Sequence, residues 1–310
     1  LKEAMFYERK DKGIVKCLLC PHNCIIKQDK LGICGVRINK DGTLYTNNYG
    51  EISSIGVDPI EKKPLYHFYP ASRILSLGTY GCNFKCQFCQ NWKISQGNPP
   101  TQQLTPEEVI NLAEQKNVKS IAYTYSEPVV WYEYVKETAQ KAAKKNIKNV
   151  LVTNGFINPE PLENILPYID AANVDLKSFN DDFYKKYAGG SLDPVKETIK
   201  TMANNIHLEI TTLLINDLND DRKELEKLFK WITNINKSIP LHLSRYFPAH
   251  KMNRPATEIK TMENAYNLAK EYLDYVYLGN LRTTEKGNTY CPQCGKKLIS
   301  RRISFLISSP

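Results

Sequence analysis

Residues 73–92 read RILSLGTYGCNFKCQFCQNW. The stretch opens on an apolar run of strand character and passes directly into Cys82, Cys86 and Cys89, spaced C-x3-C-x2-C, with the aromatic Phe88 before the third thiol. Downstream, TPEEVINLAEQKN (105–117) carries a helix start, with Thr105 as N-cap, Pro106 at the first helical position and Glu107 and Glu108 in the first turn. From there strand-like and helix-like stretches alternate. SIAYTY (120–125) precedes WYEYVKETAQKAAKK (131–145), NVLVTNG (149–155) precedes PEPLENILPYI (159–169), and AANVDLK (171–177) precedes helical pieces across 181–204. HLEITTLLI (207–215) precedes DDRKELEKLFKWITNI (220–235), PLHLSRYF (240–247) precedes EIKTMENAYNLAKEYL (258–273), and DYVYLGN (274–280) is a last short strand. Strands alternating with helices imply βα units on a parallel sheet. Six such units predict an α/β fold, a partial (β/α)6-type TIM barrel.

Working outward, residues 1–70 are irregular and rich in Cys, Gly and Pro, with short strand-like pieces (GTLYTNNYG, EISSIGV) and the closing segment DPIEKKPLYHFYP. The expected organisation is an N-terminal Cys-rich metal-binding module (1–70), a core barrel (71–280) and a C-terminal CPxCG segment and tail (281–310). The tail SRRISFLISSP lacks periodicity and is assigned no structure. The chain has 310 residues and 42% apolar content, enough for a sizeable core. No apolar run approaches the ~18 residues of a membrane span, and the charged start LKEAMFYERK has no apolar h-region. A cytoplasmic location is expected. Net charge is +9 without a dense Lys/Arg block. Spread-out lysines read as solvated helix faces, so nucleic acid is not the expected partner.

Nine cysteines fall at 17, 20, 24 and 34, then 82, 86 and 89, then 291 and 294. Disulfide frameworks belong to small secreted domains; tight groups in a chain of this size read as metal or iron–sulfur ligation. Three thiolates on one loop hold three irons of a cubane cluster and leave the fourth iron open. An open iron can take the amine and carboxylate of S-adenosylmethionine. One electron passed to the sulfonium then breaks the S–C5′ bond and leaves methionine and a 5′-deoxyadenosyl radical. The competing reading is a zinc site with a fourth ligand. Cys17, Cys20, Cys24 and Cys34 read C-x2-C-x3-C-x9-C, a set that suits tetrahedral zinc or an auxiliary 4Fe-4S cluster, with His22 as a loop residue between them. Cys291-Pro-Gln-Cys294-Gly is a zinc-knuckle half-site. It either completes one site with Cys17 and Cys20, leaving Cys24 and Cys34 over, or stands apart from a self-contained N-terminal set, packed or as free thiols.

Each strand end adds polar residues, as barrel active sites do. They are Tyr125-Ser126-Glu127-Pro128, Thr153-Asn154-Gly155, Asp175-Leu176-Lys177, then Glu209, Thr211 and Thr212, then His242, Ser244 and Arg245. The cysteine loop with Phe88 resembles the motif of the radical SAM superfamily. The whole chain resembles the AmmeMemoRadiSam-system radical SAM proteins, relatives of the pyruvate formate-lyase activating enzymes. The matching segments are CLLCPHNC, GICGVR, DPIEKKPLYHF, GTYGCNFKCQFCQNWKISQ, AYTYSEP, VTNGF, VDLKSF, SRYFPAHKM and NTYCPQCG.

The resemblance implies roles. Cys82, Cys86 and Cys89 are the catalytic cluster ligands. Ser126 and Glu127 stand near where many relatives place a GGE segment that receives the methionine amine; this chain has no GGE. Thr153 and Asn154 match a TNG segment near ribose and methionine, and Asp175 and Lys177 match the DLK segment beside S-adenosylmethionine. Phe88, Thr211, His242 and Arg245 complete the expected cofactor-binding set. The implied partners are a reduced donor such as flavodoxin or ferredoxin and a protein substrate, as for a glycyl-radical activating enzyme. Radical modification of RNA or a small metabolite is the alternative, and a non-catalytic zinc or redox module is the alternative from another class.

Overall fold

Apolar runs that are buried along their whole length, such as Ser120–Tyr123, demand a sheet covered on both faces. The computed structural model, which describes residues 1–281 and 285–301, contains that sheet. Its strands are β1 (Ser54–Pro59), β2 (Arg73–Gly78), β3 (Ser120–Tyr123), β4 (Lys148–Thr153), β5 (Ala171–Asp175), β6 (His207–Leu214), β7 (Leu241–Arg245) and β8 (Val276–Gly279). They lie side by side in chain order; β2 to β8 are parallel, and β1 runs antiparallel to β2. Helices α1 (Pro106–Gln115), α2 (Tyr132–Lys144), α3 (Pro159–Ile165), α4 (Leu192–Ala203), α5 (Arg222–Asn236) and α6 (Ile259–Lys270) connect the parallel strands. Among the described residues no pairing joins β8 to β1, so the barrel is partial, as expected.

Local chemistry explains the helix starts. Thr105 and Glu108 form a reciprocal capping box at α1, with Pro106 at its first position. Asp221 accepts from the amides of Lys223 and Glu224 at α5. One expectation needs correcting. EISSIGV contributes β1, whose ladder with β2 runs from Ser54↔Gly78 to Pro59↔Arg73, so the core sheet begins before residue 70.

The strands are staggered. Leu77, near the end of β2, is in register through Tyr123, Leu151 and Ala172 with Leu208, near the start of β6. This shear is what curling a sheet into a barrel requires. The N-terminal mouth is closed by the segment after β1. Ile60 and Leu65 pack on Ile74, Ala122, Val150 and Ala171 in a small inner core. Glu209 accepts from the backbone amides of Tyr66 (2.9 Å) and His67 (2.7 Å), and the Asn173 amide donates to the Pro64 carbonyl (2.8 Å).

The N-terminal residues form two small antiparallel sheets. They dock through a buried ion pair in which Arg37 Nη2 donates to both Glu133 oxygens at 2.9 Å. Trp131 Nε1 also donates to the Asn48 carbonyl at 2.7 Å. At the other end, Thr289–Tyr290 and Lys297–Ile299 form a hairpin. Arg301 returns from it to lay its guanidinium 4.3 Å from the Tyr66 ring centre. Residues 302–310, most of the tail left without structure above, lie outside the described residues. No helix among the described residues is long and apolar enough to cross a membrane.

Candidate active site

The cysteine loop leaves the C-terminal end of β2 and is held by the ends of its neighbours. Asn83 donates its amide to the Phe156 carbonyl (2.7 Å) past β4, and Asn91 donates to the Tyr125 carbonyl (2.8 Å) past β3. The Lys85 and Gln87 amides donate to the carbonyls of Ala188 (2.7 Å) and Tyr187 (2.9 Å) past β5. Gly81 sits at φ +90°, where a Cβ would lie 2.5 Å from Val36 and 2.9 Å from the Cys34 carbonyl, so the loop can approach the N-terminal module only with glycine there.

The sulfurs are supplied with donors. Cys82 Sγ accepts from the Phe84 amide at 3.3 Å and the Asn154 side-chain amide at 3.7 Å, and Cys89 Sγ lies 3.3 Å from Ser95 Oγ. Burial pushes the Cys86 thiol up to about 12 despite the Lys177 ammonium beside it. Burial, with Glu127 adding to it, holds the Cys82 thiol well above its ordinary value. Binding iron therefore releases protons from these groups. Among the described residues no three Cys, His, Asp or Glu side chains converge on one ion. Three thiolates on one short loop suit three irons of a cubane, each thiolate on its own iron. The loop fits a cubane with one iron left to another ligand.

Around the loop stand the polar strand ends. Glu127 accepts from Thr153 Oγ1 (2.6 Å) and the amides of Asn154 (2.8 Å) and Val129 (3.0 Å). Burial pushes its carboxyl up to about 7 against those donors. The Asn154 side-chain amide also donates to Asn83 Oδ1 (2.8 Å). Lys177 Nζ lies 2.9 Å from Asp175 Oδ2 and 6.0 Å from the Phe88 ring centre. Burial works against the Lys177 charge, but Asp175 and Cys86 outweigh it and hold the ammonium firmly. The Ser126 amide donates to the Thr124 carbonyl (2.9 Å), closing the tight turn after β3. Cys82, Cys86, Cys89, Phe88, Glu127, Thr153, Asn154, Asp175 and Lys177 thus occupy one site.

The other expected residues are elsewhere. His242 is a correction. It is the second residue of β7, faces the lower interior, and places Nε2 2.6 Å from Glu209 Oε2. The Tyr66 ring meets it edge-on and Tyr277 stacks on it, so it belongs to the closure of the N-terminal mouth. Thr211 donates to Asn173 Oδ1 (2.8 Å) in the mid-barrel. Arg245 reaches the end of β7, but its Nε donates to the Thr257 carbonyl (2.6 Å) and its guanidinium covers Phe247.

Cys17, Cys20 and Cys24 lie near enough to Cys34 for its charge to raise all three thiols, on top of the larger effect of burial. The Cys17 amide donates to the Cys24 carbonyl at 3.0 Å, and Cys24 Sγ lies 3.7 Å from where a Gly32 Cβ would stand. His22 is not turned to them; its Nε2 lies 2.8 Å from the Asn83 carbonyl. Cys291 and Cys294 do not join this set. They sit in the C-terminal hairpin, whose neighbour Arg301 bonds to Tyr66 at the opposite mouth of the barrel.

Sequence reasoning missed Asp58 and Lys63. Lys63 is 4% exposed, and its Nζ lies 2.8 Å from Asp58 Oδ2, which also accepts from Tyr125 OH at 2.9 Å. Charged residues in a proline-flanked stretch read as solvated. The only signal was that DPIEKKP fell among the segments shared with relatives.

Comparison with known proteins agrees with this geometry. An uncharacterized protein of Methanocaldococcus jannaschii is 45% identical over 98% of this chain and 92% of its own length. The pyruvate formate-lyase 1-activating enzyme of Escherichia coli K12 is 25% identical over 56% of this chain and 73% of its own. Among solved structures, a radical SAM methyltransferase from Sphaerobacter thermophilus superposes with a TM-score of 0.52 at 15% identity, covering 74% of this chain and 71% of that one, a likeness of fold. The pattern of the Radical SAM superfamily matches residues 76–232, a span that starts within β2, takes in the cysteine loop, and ends in α5. On the cysteine loop, the staggered partial barrel and a match over half its length, the chain belongs to the radical SAM superfamily.

Proposed function

We propose that this chain abstracts a hydrogen atom from a protein substrate, in the manner of a glycyl-radical activating enzyme. The observation that carries the reading is the Asp175–Lys177 ion pair beside Cys86, in the DLK segment shared with such enzymes. The distant likeness to the Escherichia coli activating enzyme supports it. When bound, the 4Fe-4S cluster with S-adenosylmethionine supplies the electron that breaks the S–C5′ bond and the radical that takes the hydrogen.

The chain's own residues bind and orient. Cys82, Cys86 and Cys89 would hold three irons, and the Phe84 and Asn154 amides, which donate to Cys82 Sγ, would stabilise its thiolate. Lys177, kept in place by Asp175, would offer a positive charge to the bound cofactor. Glu127 positions the Thr153–Asn154 turn through its hydrogen bonds. Phe88 and Phe183, ring centres 5.7 Å apart, pack an apolar wall beside the cysteine loop. A one-electron donor of the flavodoxin or ferredoxin class completes the reaction.

The test is isotope transfer. Protein recovered with the chain from an anaerobic extract is labelled with deuterium and supplied to the reconstituted enzyme. Deuterium in 5′-deoxyadenosine supports the reading. Transfer from a labelled small metabolite or RNA, with none from any protein, overturns it.

A further inference from the structure

We infer that Ser95 is a positioning residue that acts through Cys89: its hydroxyl donates to the iron-bound Cys89 sulfur and raises the reduction potential of the catalytic cluster. The inference rests on a cluster held by the loop of Cys82, Cys86 and Cys89, and not on the substrate proposed above.

The geometry begins with the chain just past that loop. Trp92–Ser95 is a single helical turn that folds back on the cysteines. The Ile94 and Ser95 amides donate to the Asn91 carbonyl (3.0 and 2.9 Å), and the Asn91 side chain is itself tied to the Tyr125 carbonyl at 2.8 Å. Gln96 closes the turn by donating its side-chain amide to the Cys86 carbonyl at 3.3 Å. Gly97 then packs so closely that a Cβ there would overlap the Lys93 carbonyl. The turn carries Ser95 to a buried position, 3% exposed, with its Oγ 3.3 Å from Cys89 Sγ.

Two features give this contact a direction. A serine in a helical turn commonly bonds back to the carbonyl four residues earlier. Here that carbonyl belongs to Asn91, and among the described residues the hydrogen bond of Ser95 Oγ goes to the sulfur instead. Either atom could donate while Cys89 is a thiol. A thiolate on iron carries no proton, so the serine hydroxyl is then the donor.

The three sulfurs are served differently. Cys82 Sγ accepts from the Phe84 amide at 3.3 Å and the Asn154 side chain at 3.7 Å, and Cys86 has the Lys177 ammonium beside it. Among the described residues, Ser95 is the hydrogen-bond partner of Cys89 Sγ. Reducing the cluster from 2+ to 1+ adds one electron, breaks no bond and moves no proton. The added charge spreads onto sulfur, so a donor there stabilises the reduced state more than the oxidised one. Hydrogen bonds to the sulfurs are among the factors that set a cluster's potential. The low-dielectric surroundings of a buried hydroxyl strengthen the effect.

Redox titration of the anaerobically reconstituted full chain tests the proposal. The catalytic cluster is identified by the paramagnetic signal that S-adenosylmethionine perturbs, and it is titrated without that cofactor. Ser95→Ala should disfavour the reduced state about 3- to 10-fold, a fall of about 30–60 mV for one electron. Ser95→Thr keeps the hydroxyl and should stay at the parent potential. Gln96→Ala loosens the same loop without touching a sulfur and should stay there too. A potential is read from whatever fraction carries the cluster, so incomplete loading of a variant does not obscure it. Ser95→Val, isosteric with Ser95→Thr, repeats the comparison and should fall as Ser95→Ala does. In heavy water the reduced Ser95→Ala cluster should also lose the coupling to one exchangeable deuteron that the parent shows. An unchanged or higher potential in Ser95→Ala, an equal fall in Gln96→Ala, or retention of every deuteron coupling overturns the proposal.

Discussion

His242 Nε2 and Glu209 Oε2 lie 2.6 Å apart on the inner face of the barrel, and the same carboxylate holds the backbone amides of Tyr66 and His67. Glu209 also meets His207 at 3.0 Å, so every acceptor site it offers is used with no exposure to water. Burial opposes its charge, but the two histidines outweigh it and hold the carboxyl far below its usual range. Glu209→Ala would leave the Tyr66 and His67 amides and the buried His242 imidazole without their acceptor. The expected loss is about 3–5 kcal/mol of stability, the scale for breaking a buried charged network. Chemical denaturation checks it; a loss under about 0.5 kcal/mol, the range of ordinary surface substitutions, would contradict it.

The same closure is sensitive to acid. Burial pulls the His67 imidazole down to about 4, and its Nε2 sits 2.5 Å from Tyr277 OH. The unfolded chain therefore binds a proton at this site more readily than the folded one. Stability from His67 is full above the ordinary histidine pKa of about 6.5 and is lost as pH falls from there toward 4. His67→Gln should flatten the melting temperature between pH 6.5 and 4 relative to the parent. An unchanged slope would contradict the assignment.

This network also marks where sequence reading stopped. Period-two alternation identifies the face of a strand that a side chain occupies. It carries no information on height in the barrel. The stagger that aligns Leu77 with Leu208 leaves the second residue of β7 low, while Asp175 at the end of β5 stands high beside the cysteine loop. The C-x3-C-x2-C loop and the Thr105 cap were legible because they depend on local spacing. EISSIGV read as strand-like, but not as part of the core sheet, since an antiparallel edge strand before the first βα unit stands outside the alternation that revealed the others. Asp58 and Lys63 were hidden for another reason: their burial depends on a long-range fold-back that local composition does not encode.

The N-terminal module depends on the Arg37–Glu133 pair, both side chains being almost fully buried. Glu133→Ala leaves the guanidinium charged in the interior and frees the Met5 amide, which donates to Glu133 at 2.7 Å. A loss of about 3–5 kcal/mol is expected, with hydrogen exchange rising first across residues 1–50. Uniform exchange over the whole chain, with no early loss there, would show that the pair does not dock the module.

Lys177→Ala should weaken S-adenosylmethionine binding about 10- to 100-fold, the range for losing a charge-assisted hydrogen bond. Asp175 loses its partner but stays partly exposed, so folding is not expected to suffer. Equilibrium dialysis of the cluster-loaded protein measures the effect, and the absorption spectrum of the cluster should stay as in the parent. Unchanged affinity would make the ion pair structural.

The most direct measurement is product release from S-adenosylmethionine. The anaerobically reconstituted protein, given reductant and S-adenosylmethionine, should release 5′-deoxyadenosine. Cys86→Ala, which removes a buried ligand from the loop of Cys82 and Cys89, should lose the catalytic cluster and release none. Release of 5′-deoxyadenosine by Cys86→Ala at the parent rate, or none from the loaded parent, would contradict the account.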